Sequence, residues 1–68
     1  MLHNSVRAHR TALELTQTDL GGLVGVTRQT VAFIEKGEFS PSVTLALKLA
    51  QALKVDVAEL FWLEEEEA

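Results

Sequence analysis

The sequence predicts an all-α fold of five short helices, with room at its ends for a small β-strand pair. Three observations carry that prediction. Apolar residues recur at three- and four-residue spacing in successive segments, the signature of helices with one buried face. Four of the five segments open on a residue suited to an N-cap: Thr16, Thr27, Ser42 and Asp56, whose side-chain oxygens can accept an otherwise unpaired N–H. Breaks fall between the segments at Gly25, Gly37 and Pro41, where a helix is most easily ended.

The first helix is read from about Ser5 to Leu13, with Val6, Leu13 and the following Leu15 turned inward. Thr16 heads the second, Asp19 at its third position suits the positive end of the helix, and the helix ends at Val24. Gly25 can take the left-handed conformation that closes a helix without a Cβ clash. Val26 then drops into the angle between two helices, and Gly21 is small where the second must approach closely. The third helix runs from Arg28 to about Lys36, with Val31 and Ile34 inward, and Gly37 stops it. Glu38 to Pro41 form a loop in which Pro41 holds Ser40 extended.

Ser42 caps a fourth helix, Val43 to Leu53, whose inward stripe is Leu45, Ala46, Leu49, Ala50 and Leu53. Asp56 with Glu59 makes a capping-box pattern for a short fifth helix, Val57 to about Phe61. Alternation in Leu2–Val6 and in Phe61–Leu63 suits the terminal strand pair. Two features oppose stability. Gly21 and Gly22 lie inside a helix, at roughly 1 kcal/mol each relative to Ala. Glu14 and Lys54 fall at helix ends where Gly is easier, so the left-handed conformation is expected at one or both.

At 68 residues the chain makes one domain, expected over 4–63, with an acidic tail at 64–68. That size is near the lower limit for an independent core, so the fold is expected to lean on a second subunit. There is no Cys, which excludes disulfides and thiolate metal sites. No apolar run approaches the roughly 20 residues that span a bilayer, so the expectation is a cytoplasmic protein with no membrane partner. His3 and His9 do not make a metal pair, and no cofactor is expected. Neither a phosphate-cradling Gly-rich loop followed by Lys nor a Ser–His–acid arrangement is present. An enzyme is not expected.

Net charge is −4, with pI near 5.0, which at first argues against nucleic acid. The distribution answers that objection. Residues 1–36 carry four Lys or Arg against three Asp or Glu, whereas residues 37–68 carry two against seven. The acidity sits in the C-terminal half. The stretch Gln17–Lys36, QTDLGGLVGVTRQTVAFIEK, reads as two short helices joined by a tight turn, the arrangement that puts a helix into the DNA major groove.

The segments LTQTDLGGLVGVTRQTVAFIEKGEFSPS and LALKLAQALKVDVAELF together resemble the phage Cro/repressor-type, or XRE-like, helix-turn-helix regulators. The likeness covers residues 4–63, and its short stand-alone members generally bind operators as homodimers. It implies roles residue by residue. Gln17 matches a residue that touches the phosphate backbone and braces the recognition helix. Thr27, Arg28, Gln29 and Thr30 match the recognition turn, with Phe33 one turn further on, and Lys36 matches a phosphate contact. Arg10 and Glu35 match a partly buried ion pair between the first and third helices. The chain departs from the pattern at Gly21, usually Ala; at Glu38, in a loop that is often basic; and at Phe33, more often polar.

The chemistry suits these residues. Arg28 can bond bidentately to guanine O6 and N7, Gln29 to adenine N6 and N7, and Phe33 can meet a thymine methyl. The bland alternatives are that Arg28, Gln29 and Gln17 are merely solvated, that the Thr30 hydroxyl only caps or packs, and that Phe33 packs on a neighbouring helix or is simply exposed. Phe61, Trp62 and Leu63 form an apolar triplet too large to bury within so small a chain. They are expected at a dimer interface, the alternative being a terminus folded back on its own core. The partners expected are therefore a double-stranded DNA operator and a second copy of the chain. A protein-interaction module of the same fold, such as an antitoxin holding a partner with its apolar C-terminus, is the competing reading.

Overall fold

The computed structural model describes residues 1–64, in the order β1 (Leu2–Asn4), α1 (Val6–Ala12), α2 (Gln17–Val24), α3 (Arg28–Glu35), α4 (Val43–Leu53), α5 (Val57–Leu60) and β2 (Phe61–Leu63). Apart from Glu64, the tail expected at 64–68 lies outside those residues. Every helix contributes to one core: Val6 from α1, Leu20 and Val24 from α2, Val31 and Ile34 from α3, Leu49, Ala50 and Leu53 from α4, and Leu60 from α5. Leu45 and Val26 lie half-buried against it. No described helix is long and apolar enough to cross a membrane.

The caps do what their chemistry allows. The Thr16 hydroxyl accepts from Asp19 N, and the Thr16 N–H donates to the Asp19 carboxylate at 2.9 Å. That backbone bond, then the hydroxyl, holds the Asp19 carboxyl below its ordinary pKa. Thr27 and Ser42 accept from Thr30 N and Leu45 N at the heads of α3 and α4. At the end of α3, Gly37 N donates to Ile34 O and Glu38 N to Phe33 O, with Gly37 left-handed at φ +77°. This is a Schellman closure, which satisfies two carbonyls that the helix leaves open. α1 and α4 close in the same way through Glu14 (φ +59°) and Lys54 (φ +61°). Both expected left-handed positions are therefore occupied.

Three expectations need correcting. Leu13 does not turn inward: it is 41% exposed, because α1 already ends at Ala12 and the left-handed turn at Glu14 reverses the chain. Leu15, expected inward as well, does pack against the core. Asp56 heads α5 without a side-chain cap; its backbone carbonyl, not its carboxylate, takes the N–H of Glu59. Phe61 is not helical. It is extended (φ −132°, ψ 138°) and begins β2, which pairs antiparallel with β1 in the register Leu2↔Leu63, His3↔Trp62, Asn4↔Phe61.

Candidate nucleic-acid interface

The α2–turn–α3 unit is fixed by a close backbone approach. Gly25 is left-handed at φ +82°, and both Gly25 N and Val26 N donate to Gly21 O, at 2.8 and 2.9 Å. A Cβ on Gly21 would stand 2.6 Å from Val26 O, closer than carbon and oxygen pack. The turn therefore rests directly on α2, and Thr27 follows in extended geometry to cap α3.

α3 then divides into two faces. Val31 and Ile34 are buried, while Arg28, Gln29, Phe33 and Lys36 are exposed. At about 100° per residue, Gln29, Phe33 and Lys36 fall within about 60° of one another, opposite the core. Thr27 and Thr30 are placed differently. Their hydroxyls lie 3.1 Å apart, and Thr30 is half-buried, so both are engaged in capping the helix that presents Arg28 and Gln29.

The far end of α3 is held by a polar cluster. Arg10 Nε donates to Glu35 Oε2 at 2.6 Å, and Arg10 Nη1 donates to Leu15 O at 2.8 Å. The side chains of Arg10 and Glu35 are only 11% and 5% exposed. Gln17 Nε2 donates to Glu35 Oε1 at 3.0 Å, so the amide side chain at the head of α2 braces α3. One carboxylate thus joins three helices, and the buried charge is met by an opposite charge and a further donor, as burial requires.

Two contributors escape sequence reading. Asn4 Nδ2 donates to Ile34 O at 2.9 Å, while its Oδ1 takes the N–H of Val6; β1 is thereby tied to the end of α3. Arg7 lines an open cleft of about 310 Å³ with Arg10, Gln17, Ala32, Glu35 and Lys36. Its signal was available: Arg7 precedes Arg10 by three residues, which puts both on one face of a helix. Phe61 is half-buried against the core, whereas Trp62 (44%) and Leu63 (73%) are exposed, with Trp62 stacked on His3 at 6.2 Å between ring centroids.

Residues 6–60, from α1 to α5, match the family model described as helix-turn-helix. The chain belongs to the XRE-type helix-turn-helix family. Over 65 residues, this helix-turn-helix domain is 49% identical to the uncharacterized HTH-type transcriptional regulator YgzD of Bacillus subtilis (strain 168), covering 96% of this chain and 98% of that one. An uncharacterized HTH-type transcriptional regulator of Methanothermobacter thermautotrophicus is 47% identical over 64 residues, covering 93% of each chain. Among solved structures, the P22 c2 repressor in complex with a synthetic operator superposes with a TM-score of 0.76 at 32% identity, covering 78% of this chain and 80% of that one. The restriction-modification controller protein C.AhdI from Aeromonas hydrophila gives 0.75 at 39%, covering 79% and 82%.

Proposed function

We propose that this chain is a cytoplasmic transcriptional regulator that binds double-stranded DNA in a sequence-specific way, as a homodimer on a palindromic operator, and represses where that operator overlaps a promoter. The observation that carries this reading is the outward face of α3, with Arg28, Gln29, Phe33 and Lys36 exposed on a helix whose opposite side is locked into the core. Arg28 and Gln29 read base edges from the first turn. The cleft lined by Arg7, Gln17 and Lys36 takes a phosphate, fixing register without reading sequence. Thr27 and Thr30 shape the reading turn. Support also comes from the P22 c2 repressor, which was solved on an operator.

The dimer forms through Phe61, Trp62 and Leu63, where the exposed Trp62 and Leu63, with the half-buried Phe61, make up the terminal strand β2. A two-fold axis there sets two copies of α3 on half-sites about one helical turn apart. Selection of bound duplexes from a random pool, at controlled salt, tests the reading. Enrichment of a palindrome is the expected result, with Arg28→Ala relaxing particular positions. Salt-sensitive retention without enrichment would overturn it.

The same exposed Trp62 and Leu63 favour the second reading, a protein partner held by the C-terminal edge. The two separate cleanly. Replacement of Arg28 and Gln29 should abolish DNA binding and leave partner binding intact, whereas Trp62→Ala should weaken dimer or partner contacts first.

A further inference from the structure

We propose that Phe33 reads the 5-methyl group of a pyrimidine in the major groove, so that binding responds to thymine and to 5-methylcytosine in the same way. This inference rests on the DNA-binding reading above and extends it from bases to a single methyl group.

Phe33 is 39% exposed, although α3 has apolar positions on its other side that bury completely: Val31 is at 0% and Ile34 at 1%. It lies about 40° around the helix from Gln29 and about 6 Å further along the axis. A side chain there enters the groove one or two base pairs beyond the base that Gln29 meets. A phenyl ring has neither donor nor acceptor for a base edge. The only apolar group that the major groove offers is the C5-methyl of a pyrimidine. An exposed phenyl beside two hydrogen-bonding readers therefore has one chemical complement in the groove.

The consequence is a specific symmetry. Thymine and 5-methylcytosine differ in O4 against N4–H2, and a phenyl ring engages neither; both carry the methyl. Thymine should thus be preferred over uracil, and 5-methylcytosine over cytosine, by the same factor. The expected factor is about fourfold per half-site, what burying one methyl-sized group gives, and about fifteenfold for a symmetric operator with both half-sites changed.

The experiment uses the selected operator with the pyrimidine nearest Phe33 made thymine, deoxyuridine, cytosine or 5-methylcytosine in both half-sites. Affinities are measured for the wild-type chain, Phe33→Gln and Phe33→Leu, with helical content checked by circular dichroism. The inference predicts equal methyl preferences in the wild type, their loss in Phe33→Gln, and their retention in Phe33→Leu, which keeps an apolar surface. Tight operator binding that ignores the methyl at every pyrimidine, or a methyl preference that Phe33→Gln retains, would overturn this inference and leave the regulator reading standing. Failure of the wild-type chain to select any operator would overturn both.

Discussion

The first turn of α3 and its last turn are held by different means. At the last turn, Glu35 meets Arg10 and Gln17, Ile34 O meets Asn4, and Gly37 closes the helix; α1, α2 and β1 all converge there. At the first turn, among the described residues, the side-chain bonds run only between Thr27 and Thr30: the Thr27 hydroxyl accepts from Thr30 N at 3.2 Å and lies 3.1 Å from the Thr30 hydroxyl. Arg28 and Gln29 beyond it stand in solvent. A small domain is in this way both firm and adaptable. The angle of the reading helix is set where it touches the rest of the protein. The side chains proposed to meet DNA stay free to find their partners.

The hold on the last turn depends most on Arg10. Arg10→Met removes the charge opposite a Glu35 side chain that is 5% exposed, and a carboxylate left in that position should cost about 3–5 kcal/mol. That is much of the stability such a domain has. Arg7→Met, at an exposed position one turn earlier, should change stability by no more than about 0.5 kcal/mol. Urea denaturation of both variants decides the matter. Equal losses would mean that the ion pair is not what holds the last turn.

The two ends of α3 also differed in how far they could be read from sequence. The first-turn side was legible because its signals are local: Thr16 with Asp19, Gly25, and Thr27 two residues later each act within one turn of chain. Glu14 and Lys54 were legible for the same reason, as residues standing where a helix end demands a left-handed conformation. The last-turn side depends on contacts between distant segments, of which the resemblance implied the Arg10–Glu35 pair and the Gln17 brace but not the bond from Asn4. Asn4 reaches a carbonyl thirty positions away, and nothing in the local pattern of β1 announces it. Leu13 failed as a core residue because periodicity continues through a helix end only until the backbone turns. Asp56 with Glu59 had the pattern of a capping box without its side-chain bond, since the backbone carbonyl of Asp56 served instead. The assignment of Arg28, Gln29, Lys36 and Phe61–Leu63 to partners rests on exposure and chemistry, and binding experiments decide it.

The first turn has a hold of its own that is not a side-chain bond, and Gly21 tests it. A Cβ there would meet Val26 O at 2.6 Å and the Thr27 carbonyl carbon at 3.3 Å. Both are backbone atoms of the segment leading into α3, so neither can swing aside as a flexible side chain would. Gly21→Ala should gain about 1 kcal/mol in helix propensity and lose about 1–3 kcal/mol to overpacking, for a net loss. A second effect should accompany it. Displacing Thr27 moves the reading turn, so operator affinity should fall by more than the change in folding accounts for. Stability and affinity measured on the same preparation separate the two contributions.

Gly22 supplies a small effect of opposite sign and the sharpest control. It is the next residue in the same helix, exposed, and a Cβ there meets nothing within 4 Å. Its conformation is helical, so Ala fits without strain, and Gly22→Ala should raise stability by about 1 kcal/mol. Part of that gain comes from fewer conformations in the unfolded chain, so it requires no new contact and no change in DNA affinity. Two glycine-to-alanine changes, one residue apart, are thus expected to act with opposite sign. If thermal unfolding shows both variants stabilised, the turn has room to move off α2, and the first turn of α3 is positioned by Thr27 and the buried Val31 instead. If only Gly22→Ala stabilises, the close approach at Gly21 sets where the reading turn stands.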